Sequence, residues 1–313
     1  MQVLSILPKS NHAPQKQNKN QSKISFGNLS KMKTIAATGA GGFALFSVLV
    51  KNLPKLEPYT LFMPNKKKFF AIPDGIKKVI KNVSTQTEDG LNLKHYYIPA
   101  KEGKKTIIFC HGIRHNVTKF FDVAQSLYEN GYGAFMMEYR GFGHNKGIPS
   151  EKGLSKDFNS VAKYLNKQGI KDENIVVWGF SLGGGVATNA AKSNRLGGVI
   201  LNSTFTDFGK AVKANFNNFT KNKFLKDLIG KIPVEKILVK SKFDNAAKIS
   251  EIDIPILIMH AKDDKRVPYE MSVQLAKNKP DARLYSVEKG GHTPFFEWTE
   301  HAILNFLAGL KPV

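Results

Sequence analysis

The sequence predicts an α/β fold: a mostly parallel central sheet flanked by helices. Two observations carry that prediction. From about residue 75 onward, apolar runs of strand length alternate with stretches of helical spacing. One of those runs, Val176-Val-Trp-Gly179, passes through a glycine-flanked serine directly into an Ala-rich helical stretch. Strands alternating with helices imply parallel pairing, because each return to the same sheet edge needs a crossover helix.

The elements follow in order. Val83-Ser-Thr-Gln-Thr and Leu91 to Ile98 flank a Glu88-Asp-Gly90 turn and read as a hairpin. Thr106 to Cys110 reads as a buried strand, and Lys119 to Glu129 as a helix ending before Gly131. Further strands are expected at Tyr132 to Tyr139, Asn174 to Gly179, Gly198 to Asn202, Pro255 to His260 and Ala282 to Val287. Helices are expected at Ser155 to Lys167 and Leu182 to Ser193. Residues 204–252 interrupt the alternation and read as a small helical insertion over the sheet's carboxyl edge, before the acid-bearing strand. Its aromatics (Phe205, Phe208, Phe216, Phe219, Phe224) suit either an acyl-chain pocket under a lid or an ordinary core. No internal repeat is visible.

At 313 residues, with 42% hydrophobic content, the chain can bury a sizeable core. Its formal charge of +22 is unusual, but only five of the 47 basic residues are arginine. Phosphate and base readout favour the forked guanidinium, so a lysine surplus argues against nucleic acid as a partner. It fits solvated lysine-rich faces, or attraction to an anionic lipid surface. The single cysteine, Cys110, excludes an intrachain disulfide and lies in an apolar run, where an inert core thiol is expected.

Residues 1–33 contain no acidic residue and are expected to form a disordered basic tail. Thr34 to Val50 is uncharged throughout and is stopped by Lys51, which places it at the short end of a membrane span. A single N-terminal anchor, and hence a membrane-associated protein, is the expectation; a cleaved signal sequence and a peripheral helix are the alternatives. Lys31 and Lys33 before it balance Lys51 and Lys55 after it, so orientation is not set. Gly39-Ala-Gly41-Gly-Phe-Ala44 imitates a dinucleotide fingerprint but has no strand before it, so no nucleotide site is read there. Residues 51–77 read as a linker and 78–313 as the folded domain. Nothing in the sequence indicates an oligomeric state.

The chemistry centres on Gly179-Phe180-Ser181-Leu182-Gly183, between a strand and a helix. A serine on such a sharp turn projects its hydroxyl above the sheet, and glycines two residues either side leave the room. A serine hydroxyl needs a base, and the base an orienting acid; in this strand–turn–helix context both follow the serine in the chain. Of the downstream histidines, His260 closes a buried strand and His301 falls in the final helix. His292, after Gly290-Gly291 in a turn past the last strand, is the expected base. Asp263 and Asp264 are both candidate acids just past a strand end. Two backbone N–H groups are needed for the oxyanion, one from Leu182 and one from the loop after the third strand.

These motifs, in this order, resemble the α/β-hydrolase superfamily over residues 78–310. His260-Ala-Lys-Asp-Asp-Lys-Arg-Val267-Pro268 is similar to that family's H-G-x-x-D-x-x-V-P loop, with Ala261 replacing the usual glycine. The resemblance implies Asp264 as the acid. His111-Gly112-Ile113-Arg114-His115-Asn116 resembles the family's H-G-x-x-x-N loop, which nominates the Ile113 amide for the oxyanion and makes His111 structural. Bulky Arg114 and His115 stand where small residues are usual, and their charge at the mouth could favour an anionic substrate group. Glu138-Tyr-Arg140-Gly-Phe-Gly143-His-Asn-Lys-Gly147 is similar to the family's D-x-R-G-x-G-x-S-x-G. The branch it resembles includes membrane-anchored monoacylglycerol-lipase-like enzymes, acyl-protein thioesterases and serine-aminopeptidase-like enzymes. The expected activity is hydrolysis of a carboxylic, lipid-like acyl ester through Ser181, His292 and Asp264, with no metal or organic cofactor. Thioester or peptide hydrolysis is the alternative, and a membrane-tethered binding protein without turnover is the non-enzyme alternative.

Overall fold

The computed structural model describes residues 61–219, 240–293 and 297–311. Eight strands form one sheet in the order β1-β2-β4-β3-β5-β6-β7-β8. They are β1 (Lys81–Gln86), β2 (Asn92–Ile98), β3 (Thr106–Cys110), β4 (Gly133–Met137), β5 (Ile175–Phe180), β6 (Gly198–Asn202), β7 (Ile256–Ala261) and β8 (Arg283–Val287). β1 and β2 form the expected hairpin, with Lys81 opposite Tyr97 and Gln86 opposite Asn92. β2 pairs antiparallel with β4, and every pair from β4 to β8 is parallel.

The central strands are apolar at almost every position because both sheet faces are covered. On β5, Ile175 and Val177 join one core layer, while Val176, Trp178 and Phe180 join the other. That division is the two-residue side-chain period of a strand. Helices α2 (Glu151–Lys167) and α3 (Leu182–Ser193) cover the first face through Leu154, Phe158, Val161, Leu165 and Val186. Helix α1 (Phe121–Glu129) and the last described helix, Glu297–Ala308, cover the second through Val123, Leu127, Ile303 and Phe306. Cys110 is fully buried on β3, and burial pushes its thiol up to about 12, so it is inert at neutral pH.

Several boundaries differ from the sequence reading. Helix α2 starts at Glu151 rather than Ser155, because Ser150 caps it by accepting from the Gly153 amide at 3.1 Å. Residues 61–77, expected to be linker, are anchored at three points: Leu61, Phe62 and Ile76 lie in the core, and the Gly143 amide donates to Asn65 O at 3.0 Å. The insertion expected over 204–252 contributes helices α4 (Phe208–Phe219) and α5 (Asn245–Lys248), with residues 220–239 outside the described residues. Phe205 and Phe208 are core: their rings pack against each other, and that of Phe208 also against Phe62 and Phe243.

The expected transmembrane helix is not upheld. Among the described residues no helix is long and apolar enough to cross a membrane. The stretch 34–50, on which that expectation rested, lies outside the described residues, as do the basic tail and the dinucleotide-like run.

Arg140, just past the carboxyl end of β4, ties three elements together. Its Nη1 and Nη2 donate to the hairpin-turn Asp89 carboxylate at 2.8 and 3.0 Å, and its Nε to Asp157 of α2 at 2.7 Å. Its own amide also donates to Asp157, at 2.9 Å. The forked guanidinium suits two carboxylates at once in a way an ammonium cannot. Replacing Arg140 by Met strands the buried Asp157 carboxylate and should cost about 3–5 kcal/mol of unfolding free energy. Urea denaturation measures it, and a loss below about 1 kcal/mol would contradict this account.

Candidate active site

Strand β5 ends at Phe180 and α3 begins at Leu182, leaving one residue, Ser181, to reverse the chain. It does so with φ 54° and ψ −115°, a backbone state that costs a non-glycine residue roughly 1–3 kcal/mol. The surrounding packing holds it there. A Cβ on Gly179 would lie 2.3 Å from Gly183 O, and one on Gly183 would lie 1.9 Å from Cys110 O. Both positions are therefore closed to any side chain, which explains the spacing read from the sequence. The Ser181 amide donates to Asn202 O at 2.9 Å, and Thr204 Oγ1 donates to Ser181 O at 2.8 Å.

The turn brings Ser181 Oγ to 3.0 Å from His292 Nε2, across 111 residues of chain. His292 Nδ1 lies 2.7 Å from Asp264 Oδ2. A carboxylate only accepts, so Nδ1 carries the proton and Nε2 presents its lone pair to the serine hydroxyl. The Phe180 ring packs beside the imidazole, with centroids 5.0 Å apart. The structure thus brings Ser181, His292 and Asp264 together at the carboxyl ends of the parallel strands.

The two neighbouring aspartates separate cleanly. Asp264 follows β7 with its side chain buried and accepts from His292, from His260 Nε2 at 3.1 Å, and from the Arg266 and Val267 amides at 2.8 and 3.1 Å. Burial pushes its pKa up, but the bonds from His260 and His292 outweigh that and hold the carboxyl well below the usual range. Asp263 is not merely a solvated loop carboxylate. Its Oδ1 accepts from the amides of Gly290 and Gly291 at 2.8 and 2.7 Å, pinning the turn that carries His292. Those amide bonds, the one from Gly291 foremost, lower its pKa.

Sequence reasoning missed two further supports. His260 Nε2 faces both Asp264 Oδ2 and Val267 O (3.0 Å), while its Nδ1 lies 2.6 Å from Ser272 Oγ. Nε2 is therefore the protonated nitrogen, and Nδ1 accepts from the serine. The second is Glu138, whose Oε1 meets His111 Nε2 at 2.9 Å and whose Oε2 accepts from the Val117 amide at 3.1 Å. With His111 Nδ1 against Gly112 O at 2.7 Å, this braces the loop holding Ile113. A Cβ on Gly112 would come within 3.2 Å of Ser181 Cβ, so that loop lies directly against the elbow. Leu182 opens α3, where the first amides have no intrahelical acceptor. Among the described residues neither the Ile113 nor the Leu182 N–H donates to a backbone carbonyl in a turn or loop. A cleft of about 240 Å³ opens over Ser181 and His292, with Ile113, Phe120, Phe180 and Val267 as apolar wall. Among the described residues no group of three or more His, Cys, Asp or Glu is placed to hold a metal ion.

Comparison with known proteins agrees with this architecture. Residues 101–251 match the family model described as "Serine aminopeptidase, S33", and residues 233–298 match that of the α/β-hydrolase fold. The uncharacterised protein YfhR of Escherichia coli is 29% identical over 249 residues, 74% of this chain and 82% of that protein. Human protein ABHD12B is 29% identical over 212 residues, 64% of this chain and 57% of that protein. Among solved structures, an esterase of Pyrococcus furiosus superposes with a TM-score of 0.65 at 18% identity, over 79% of this chain and 98% of its own. An α/β-hydrolase of Vibrio vulnificus reaches 0.64 at 21% identity, over 85% of this chain and 94% of its own. The chain has the α/β-hydrolase fold. The resemblance read from the motifs therefore holds for the fold, and hydrolase-family models match within residues 101–298.

Two outcomes are expected from the paired aspartates. Asp264→Asn removes the ion that orients His292 and should lower kcat about 10³–10⁴-fold, whereas Asp263→Ala, which only loosens the turn, should cost about tenfold. Steady-state kinetics on one ester substrate compares them; equal losses would contradict the division of roles. Because the folded pKa of Asp264 is depressed, its stabilising contribution is fully present above the unfolded carboxyl value of about 3.9 and is lost as pH falls further. The urea midpoints of the parent and Asp264→Asn should therefore converge as pH drops from 5 toward 2. A gap that stayed constant over that range would refute this.

Proposed function

We propose that this hydrolase is a serine esterase that cleaves carboxylic esters through an acyl-enzyme intermediate. The observation that carries the reading is the unbroken line from Ser181 Oγ to His292 Nε2 (3.0 Å) and from His292 Nδ1 to Asp264 Oδ2 (2.7 Å). In the proposed reaction Ser181 Oγ attacks the ester carbonyl carbon as its proton passes to His292 Nε2. Asp264 accepts from Nδ1–H and stabilises the imidazolium. The oxyanion takes bonds from the Ile113 and Leu182 amides, and the α3 dipole adds to them. His292 then protonates the departing alkoxide. Water, deprotonated by the same nitrogen, attacks the acyl carbon and releases the acid and Ser181.

Esterases among the superposed structures favour an ester substrate for the same site. The serine-aminopeptidase match over residues 101–251 favours a second reading, hydrolysis of a peptide amide by the same three groups.

Replacing Ser181 by Ala should abolish labelling by a fluorophosphonate probe and lower p-nitrophenyl acetate turnover by about 10⁴-fold or more, with the fold intact by circular dichroism. Labelling that survives the substitution would end the proposal. Parallel assays with aminoacyl p-nitroanilides and acyl thioesters decide between ester, amide and thioester, with the ester expected to have the highest kcat/KM.

A further inference from the structure

Among the described residues, the cleft over Ser181 is lined by basic side chains and by no carboxylate. Arg114 and Arg266 both border it, with Lys119 and His115 beside them. The chain has 47 basic residues and only five arginines, and two of the five stand at this one mouth. Neither guanidinium has an acidic partner among the described residues. Asp264, the nearest carboxylate in sequence, spends its oxygens on His260, His292 and the Arg266 and Val267 amides. Arg114 is held in an unfavourable backbone state, φ 71°, one that glycine would adopt without strain. Asn65 Nδ2 donates to its carbonyl at 3.3 Å and helps keep it there. Partial burial and, after it, the like charge of Arg266 lower the Arg114 pKa. His115 Nδ1 is buried without a hydrogen-bond partner. Lys119 is partly engaged, its ammonium lying 5.0 Å from the Phe70 ring centre.

Two unpaired guanidiniums held near each other repel until an anion lies between them, and their planar forks match the paired oxygens of a carboxylate or phosphate. Resting on the esterase reading above, we infer that the substrate is an ester carrying an anionic group, carboxylate or phosphate, within a few bonds of the scissile carbonyl. Arg114 and Arg266 bind that group while Ser181 attacks the ester. The arginines at the cleft select the substrate by charge. Arg114 follows Ile113 directly, so an anion bound at Arg114 also fixes the substrate relative to the oxyanion amides.

The test compares charged and neutral esters of matched size on the full chain. 4-Acetoxybenzoate against 4-acetoxybenzamide places the charge on the alcohol half; methyl hydrogen adipate against methyl hexanoate places it on the acyl half. 4-Acetoxyphenyl phosphate separates a phosphate preference from a carboxylate one. The expected result is a kcat/KM at least tenfold higher for an anionic ester than for its neutral partner, falling as sodium chloride is raised from 0.01 to 0.5 M. In the doubly substituted Arg114→Gln, Arg266→Gln protein the anionic-to-neutral ratio should fall tenfold or more, chiefly through KM. The doubly substituted Arg114→Lys, Arg266→Lys protein should keep part of the preference. Turnover of the neutral esters with no anionic preference in the parent protein overturns the inference and leaves the esterase reading standing. A ratio that the glutamine substitutions leave unchanged also overturns it. Absence of both fluorophosphonate labelling and turnover of every ester overturns the inference together with the esterase reading.

Discussion

The reversal of the chain at Ser181 is the constraint on which the site depends. A strand and a helix meet there with one residue between them, and that residue takes a backbone state only its surroundings can enforce. The enforcement is mutual exclusion of backbone. Gly183 lies under Cys110 O, Gly179 lies against Gly183, and the loop at Gly112 closes on the serine from the third strand. One contact region thus sets the hydroxyl, the helix terminus and the loop bearing Ile113 together. The parallel sheet makes this possible, because β3 and β5 are neighbours whose carboxyl ends deliver both segments to the same edge.

Around that fixed point the polar groups are arranged in layers, each held by the next. His292 is held by Asp264, and Asp264 by His260 and two backbone amides. His260 is oriented by Ser272, and the turn carrying His292 by Asp263. The loop bearing Ile113 is braced by Glu138 through His111 and Val117. Such networks gain from low local dielectric only when their members are satisfied, and here every buried carboxylate oxygen in the chain of contacts has a donor. The depressed pKa of Asp264 is the energetic expression of that arrangement: the ion is buried, yet its bonds favour the charged form.

The basic character of the chain divides by residue type. Lysines make up most of the 47 basic residues, and those facing water contribute net charge and solubility more than structure. Three of the five arginines stand where the forked shape of the guanidinium bears on the account. Arg140 clamps two carboxylates from different elements, while Arg114 and Arg266 stand at the cleft with their forks unpaired among the described residues. One residue type therefore serves both as an internal staple and as a feature of the cleft, and only the surroundings separate the two uses.

The order of strands and helices, the elbow and the α/β-hydrolase fold were legible in the sequence, because each is written in local pattern. Apolar runs mark strands buried on both faces, and glycines two residues from a serine mark a turn with no room for side chains. The helix starting at Leu182 and the strand Gly198–Asn202 have the bounds their sequence suggests. What the sequence left open depended on partners distant in the chain. Asp263 and Asp264 are adjacent and chemically identical, and only the return of residues 290–292 to the end of β7 gives one the imidazole and the other the glycine amides. The anchoring of residues 61–77, the burial of Phe205 and Phe208, and the support of Asp264 by His260 were hidden for the same reason. Local pattern determines which element a residue joins; which residue it meets across the fold is decided by strand order and loop closure, and appears only in three dimensions.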